Sequence, residues 1–259
     1  MSNIHSTAII DPGAEIAGEV IIGAYSVIGD GVQIGAGSEI GSHVVIKGPT
    51  RIGEQNRIFQ FSSIGDDPQD KKYAGETTRL EIGDRNTIRE YCSINRGTVN
   101  DQGVTRLGND NWVMAYVHIA HDCTVGDQVI MANNVTLAGH VHVSDHVILG
   151  GFSGAHQFCS IGAHAFLGMY AGVNRDVPPY VTVSGNPAEP KGVNLEGLKR
   201  RGFDKDQLRN IRNAYRVLYR SGMRLQEATE EIARLSETQP ELKIFLDFLT
   251  DQSRRSIIR

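Results

Sequence analysis

The sequence predicts an all-β solenoid of hexapeptide repeats followed by a C-terminal α-helical domain. Three observations carry that expectation. Isoleucine recurs every six residues at Ile4, Ile10, Ile16, Ile22, Ile28, Ile34, Ile40, Ile46, Ile52, Ile58 and Ile64. Aromatic residues make up only 7% of the chain while glycine reaches 29 residues, as suits an aliphatic core with close backbone turns. Beyond residue 194 the hexads are gone, and apolar residues fall at helical spacing.

The period of six decides the first element. No α-helix has it, and an ordinary strand alternates every two residues without punctuation. A coil with three flat faces satisfies it: each hexad gives one short strand, one inward aliphatic side chain and one corner. Glycine often follows the inward residue, as at Gly23, Gly29, Gly35, Gly41, Gly53 and Gly65, and is expected to permit the tight turning there. Eighteen residues then make one coil, and coils stack at roughly 4.8 Å. The pattern returns in phase at Ile82, Ile88 and Ile94. After a slip of one residue it runs from Leu107 through Ile119, Leu137, Ala155 and Leu167 to Val173. A narrow triangular interior explains the scarcity of aromatic rings.

Two stretches interrupt the coil. Residues 66–81 (DDPQDKKYAGETTRLE) carry no hexad yet span two missing units, and residues 97–106 (GTVNDQGVTR) absorb the slip. Both are polar and contain glycine, so both are expected to project as loops, where function concentrates. The pattern fades through DVPPY and GNPA, placing the boundary between a 1–190 solenoid and a 191–259 helical domain. Helices are expected over 194–201, 204–221, 224–237 and 240–252. On the longest, Leu208, Ile211, Tyr215 and Leu218 form the apolar face, and Lys205, Arg209, Arg212, Arg216 and Arg220 form a basic stripe.

Charge separates the same two parts. Residues 191–259 hold fifteen Lys or Arg against ten Asp or Glu, whereas the first 190 hold eleven against twenty. The net charge of −4 therefore combines an acidic body with a basic end, and a pI near 6.1 argues against nucleic acid as partner. A localised acidic partner fits the asymmetry better. No run approaches 18 apolar residues, so no transmembrane segment is expected. No basic-then-apolar start marks the chain for secretion, and Cys92, Cys123 and Cys159 match no zinc motif; the expected compartment is the cytoplasm.

Stacking arithmetic points to a site. Residues eighteen apart lie above one another, so His121, Gly139 and Gln157 form one column, and Asp122, His140 and Phe158 its neighbour. His118 and His156 flank them, and seven of nine histidines fall between 118 and 164. An imidazole titrating near neutrality suits His121 as general base, with Asp122 to orient it. Gly139 leaves open space and a backbone N–H for a carbonyl oxygen that becomes anionic. Base plus oxyanion donor means acyl transfer. A zinc site built from His118, His121, His140, His142 and His146, as in a gamma-class carbonic-anhydrase-like hydratase, is the competing reading. A non-catalytic structural solenoid is the other.

The segments GSHVVIKGPT, QFSSIGDDPQDKKYAGE, NRGTV, HIAHDCTVG, LAGHV, GAHQFCSIGAH, DVPPYV, GNPA and VNLEGLKRRGF, in this order, resemble the UDP-N-acetylglucosamine 3-O-acyltransferases of lipid A synthesis. The resemblance covers nearly the whole chain. It implies a left-handed parallel β-helix, a hand that the usual crossover rule does not supply. It also implies transfer of a 3-hydroxyacyl chain from acyl carrier protein to the 3-hydroxyl of UDP-N-acetylglucosamine, in a homotrimer with clefts between coils. No metal and no cofactor is implied beyond the carrier's phosphopantetheine thioester as co-substrate. The related N-acyltransferases add an N-terminal uridine-binding domain, whereas here the hexads begin at Ile4.

Carried over by position, the resemblance makes His121 the base, Asp122 its partner and the Gly139 N–H the oxyanion donor. Gln69, Asp70 and Lys72 would contact sugar and acyl group. His118, His140 and His156 would line the cleft, with Gln157 at the nucleotide phosphates. Asn194, Glu196, Arg200 and Arg201 would bind uridine and diphosphate, and the basic stripe would dock acyl carrier protein. Two positions depart from relatives. Asn95 stands where many have His, so no catalytic role is expected there. Met169 stands where some have Gly at the end of the acyl groove, which favours a medium chain.

Overall fold

The computed structural model describes residues 2–251 and 256–259. Short strands, mostly of two residues, follow one another around a triangle and stack into three parallel sheets of eleven, nine and eight strands. Up to strand Gly172–Val173 each sheet takes every third strand, all parallel, so the chain visits the first, second and third sheets in turn on each coil. The register is the eighteen-residue step inferred above: Ile4 pairs with Ile22, and Ile40 with Ile58. The hexad residues point inward, and from Ile22 to Val173 they are buried. Each such aliphatic side chain contributes about 1.5–3 kcal/mol. At the N-terminal end Ile4 stays 41% exposed, since no coil lies beneath it.

Glycine does a different job from the one expected. The residues that turn the corners in the left-handed region are mostly not glycine; Tyr25, His43, Phe61, Tyr91 and Tyr116 all do so with φ of 57–63°. The next coil supports the turn, as where His43 N–H donates to Ala24 O at 2.9 Å. The glycine after the inward residue instead permits close stacking. A Cβ on Gly35 would lie 2.5 Å from the Gly53 carbonyl carbon. Many aromatic rings of the solenoid lie outside its triangular core, as its narrowness implies, whereas Tyr215, Phe245 and Phe248 of the helical part are buried. Tyr25, His43, Phe61, Tyr91 and Tyr116 stack in a ladder along the corner between first and second sheets, at centroid spacings of 4.9–5.2 Å.

Both interruptions are loops, shorter than the sequence suggests. Strands Ser63–Asp66 and Arg79–Ile82 bracket a first loop of residues 67–78, and Ile82 pairs with Ile52 thirty residues back. Strands Ser93–Asn95 and Val104–Leu107 bracket a second loop of residues 96–103, with Ile82 opposite Leu107. Leu80 and Val104, assigned to loops from the sequence, return to the core.

The last strands, Val181–Ser184 and Glu189–Val193, form an antiparallel pair, after which the chain is helical. Helix α1 (Leu195–Arg200) is capped by Asn194, and α2 (Lys205–Arg220) by Asp204 in a capping box with Gln207. Helices α3 (Leu225–Ser236) and α4 (Lys243–Thr250) complete the layer; the end of the last expected helix, at 252, lies outside the described residues. Leu208, Ile211, Tyr215 and Leu218 are buried, and Arg209, Arg212, Arg216 and Arg220 are exposed on the other side of α2. Ile258 reaches back into the solenoid core, its N–H donating to Asp176 O at 2.8 Å.

Candidate active site

The site sits at the corner between the second and third sheets, just after strand His118–Ile119. Asp122 makes that corner with φ of 59°, a conformation that Asp tolerates better than most residues. The turn bends two sequence neighbours toward each other: His121 Nδ1 lies 2.9 Å from Asp122 Oδ2. A buried carboxylate can only accept there, so Nδ1 carries the proton and Nε2 presents its lone pair. Burial alone raises the Asp122 pKa, but hydrogen bonds from His121 and Thr98 and the charge of His140 bring it below the ordinary carboxylate value. Asp122 is thus held as an anion, able to stabilise an imidazolium.

One coil further, Gly139 occupies the space beside that imidazole. A Cβ at 139 would lie 2.6 Å from His121 Cε1 and 2.8 Å from Nε2. Any side chain would displace the ring, so glycine here answers to close approach. The Gly139 carbonyl takes the Phe158 N–H at 3.1 Å, and among the described residues nothing accepts from the Gly139 N–H. His140, on the same corner, stacks on Phe158 at 4.3 Å and meets His121 edge-on at 5.1 Å. His118 lies on the adjoining sheet face with Nδ1 2.7 Å from Ser93 Oγ. Burial and the neighbouring His121 push its pKa down.

The projecting loops close over this corner. Gln69, Asp70 and Lys72 of the first loop line one cleft of about 970 Å³ with His121, His140 and Gln157. Lys71, Asn100, Asp101 and Phe158 complete its wall. The sequence reading missed the second loop's part. Thr98 donates to Asp122 from both its N–H (2.8 Å) and its hydroxyl (2.7 Å), and Asp101 Oδ2 lies 2.9 Å from His140 Nδ1. The segment NRGTV carried that signal, but only as a motif. Asn95 has a structural contact: its Nδ2 donates to Asp67 O at 3.0 Å.

Other expected residues lie elsewhere on the chain. His156 is exposed before the Phe158 corner, and Met169, 59% exposed, precedes the Tyr170 turn between first and second sheets. Arg201 lies at the corner between third and first sheets, where Nη1 is 2.5 Å from His146 Nδ1 and 3.1 Å from Gln128 Oε1. Asn194 Nδ2 donates to His164 O nearby, Glu196 pairs with Lys199, and Arg200 is exposed. These four do not share the cleft of their own chain.

The zinc arrangement does not assemble. His142 faces out from the third sheet and His146 sits at the next corner against Arg201. Only His121, Asp122 and His140 bring possible ligand atoms within 4.8 Å among the described residues, and these are already bonded to one another, Thr98 and Asp101.

Comparison with known proteins decides the family. The model described as "Udp N-acetylglucosamine O-acyltransferase; Domain 2" matches residues 176–258, and the bacterial transferase hexapeptide model matches 19–48 and 105–139. The acyl-[acyl-carrier-protein]–UDP-N-acetylglucosamine O-acyltransferase of Herminiimonas arsenicoxydans is 58% identical, with all of both chains covered. The enzyme so named from Thiobacillus denitrificans is 57% identical, again over the full length of each. The chain belongs to the UDP-N-acetylglucosamine O-acyltransferase family. The crystal structure of the Moraxella catarrhalis UDP-N-acetylglucosamine O-acyltransferase superposes with a TM-score of 0.96 at 50% identity, covering 99% of each chain. The Acinetobacter baumannii structure gives 0.96 at 51% identity and the same coverage. The fold is accordingly a left-handed parallel β-helix with a helical C-terminal part, as in this O-acyltransferase family.

Proposed function

We propose that this O-acyltransferase moves a 3-hydroxyacyl chain from the thioester of acyl carrier protein to the 3-hydroxyl of UDP-N-acetylglucosamine, the first step of lipid A biosynthesis. His121 Nε2 takes the hydroxyl proton as the oxygen attacks the thioester carbonyl. Asp122 stabilises the imidazolium, and the Gly139 N–H holds the oxyanion. Collapse of the tetrahedral intermediate expels the carrier thiol, which regains a proton from His121. The observation that carries this reading is the free face of the His121 ring lying against Gly139, where a Cβ would come within 2.8 Å of Nε2. Gln69, Asp70 and Lys72 contact the sugar and acyl group, His140 lines the cleft with His118 and His156 flanking it, and Gln157 reaches the phosphates. No metal or cofactor takes part.

The active unit is a homotrimer of cytoplasmic enzyme, each chain dividing into a solenoid of residues 1–190 and a helical part of 191–259. Two features support the assembly. Asn194, Glu196, Arg200 and Arg201 project from a different edge of the prism than His121, so they serve uridine and diphosphate in a neighbour's cleft. Tyr25, Phe61, Tyr91, Tyr116, Phe152 and Tyr170 also leave an exposed aromatic ridge along the edge between first and second sheets. For the acyl chain, the outer face of the second sheet steps from His118 through Thr136 to Gly154, where no side chain intrudes, before the Asn186 side chain covers Gly172. No helix among the described residues is long and apolar enough to cross a membrane. The decisive experiment is mass spectrometry of the product from UDP-N-acetylglucosamine and a mixture of 3-hydroxyacyl carrier proteins. A 3-O-acylated nucleotide sugar is expected; an N-acylated product, or none, would overturn the reading.

A further inference from the structure

Arg96 is a buried charge, its side chain 9% exposed, at the root of the second loop. A guanidinium is costly to bury unless its donors are matched. Its two terminal nitrogens are spent on the first loop and its root, and only its buried Nε is left without a partner among the described residues. Nη1 donates to Gly65 O at 2.6 Å, and Nη2 donates to the Asp67 carboxylate and to the Tyr73 hydroxyl, the latter at 3.0 Å. Its own N–H donates to Asp66 O at 3.1 Å, and Asn95 Nδ2 to Asp67 O. Among the described residues, these two neighbours supply the hydrogen bonds that tie residues 67–73 to the rest of the chain. The other bonds of that segment are local, such as Lys72 N–H to Asp70 Oδ1. Two residues beyond Arg96, Thr98 makes its paired donation to Asp122. A stretch of four residues therefore touches both the loop bearing Gln69, Asp70 and Lys72 and the carboxylate behind His121.

We infer that Arg96 is a positioning residue that sets the first loop against the His121–Asp122 pair, and so governs capture of the nucleotide sugar rather than docking of the carrier protein. This rests on the reading that Gln69, Asp70 and Lys72 contact the sugar and acyl group while the carrier protein itself docks on the basic face of α2. A misplacement of about 1 Å in such a loop can cost about 100-fold in rate. A lysine cannot replace the fork, because one ammonium does not span three acceptors in fixed planar geometry.

The test uses the full-length enzyme with Arg96→Ala, Arg96→Lys, Tyr73→Phe and Lys72→Ala, measuring kcat, both KM values and the thermal midpoint. Arg96→Ala is expected to raise KM for UDP-N-acetylglucosamine about tenfold or more, with KM for acyl carrier protein within about twofold. Added guanidinium ion should restore part of the loss in Arg96→Ala and none in Lys72→Ala. Arg96→Lys should recover only part of it, and Tyr73→Phe should shift the same constant by a smaller factor. Equal changes in both KM values without guanidinium rescue, or a lowered midpoint with an unchanged acceptor KM, would overturn the inference. If Lys72→Ala leaves the acceptor KM unchanged, the loop reading itself fails. If Lys72→Ala raises it while Arg96→Ala and Tyr73→Phe do not, only the role of Arg96 fails.

Discussion

His121 and Asp122 are consecutive in sequence, yet their side chains meet at 2.9 Å because the left-handed corner at Asp122 turns both outward to one side. In an extended strand consecutive side chains point to opposite faces. The solenoid corner thus supplies a local route to a base and its orienting carboxylate; Thr98 holds the carboxylate from the second loop, and Thr105 Oγ1 on the preceding coil accepts the Asp122 N–H.

Removing the base should abolish the chemistry and little else. His121→Ala is expected to lower kcat by about 10²–10⁴, since general base catalysis is worth that much. Asp122→Asn should also fall steeply, because an amide can no longer enforce the tautomer that leaves Nε2 free. Steady-state rates together with nucleotide binding by calorimetry check both. Binding should persist while turnover is lost; a His121→Ala enzyme with substantial turnover would rule out His121 as the base.

Met169 should set the acyl length. It is exposed beside the Tyr170 corner, whose N–H bonds to Gly151 O one coil below, across the second sheet from His121. A side chain there closes the end of a groove whose floor is Gly154, with Asn186 lying over Gly172. Each excluded methylene forfeits about 0.8 kcal/mol, close to fourfold in specificity. A medium chain is expected, and Met169→Gly should move the optimum to longer chains when turnover is compared across hydroxyacyl lengths. An unchanged preference would refute Met169 as the stop.

The hexads made the coil, its register and the histidine column legible, because a period of six leaves inward positions and stacking partners fixed by counting. The roles of glycine and of the aromatic rings were not legible. Composition reports that Gly35 and Tyr25 exist, whereas only stacked coils reveal that one avoids a carbonyl and the other turns the corner. Thr98 and Asp101 were missed for a related reason: a loop of eight residues has no periodicity to place its side chains. Arg201 carried a phosphate-binding signal through its pairing with Arg200, but the sequence could not show that its own cleft lies on another edge.

The basic face of α2 should govern encounter with the acidic carrier protein. Arg212, Arg216 and Arg220 are exposed there, while Arg209 is paired with Asp206 at 2.8 Å. Arg216→Glu with Arg220→Glu should raise KM for acyl carrier protein about tenfold at low salt. The difference should shrink as the screening length falls below about 10 Å. Kinetics at two ionic strengths check it. A change confined to the KM of the nucleotide sugar would place carrier docking elsewhere.

His164 should make the fold acid-sensitive. It stacks between His146 at 4.6 Å and Tyr180 at 5.6 Å, and burial, with the nearby His146 and Arg201, lowers its pKa to about 4. An unfolded imidazole takes up its proton near pH 6.5, so below that value the unfolded state binds more protons than the folded one. The stabilisation is present in full above about pH 6.5 and is lost as pH falls toward about 4, amounting to about 3 kcal/mol. His164→Phe keeps the ring stack and removes the titration. Its urea-unfolding free energy should fall less steeply with acid than that of the parent, by about 1 kcal/mol per pH unit between roughly pH 6 and 5. Carboxylates titrating over the same range act equally in both proteins and cancel in the difference. Parallel curves would show that His164 is not the group responsible.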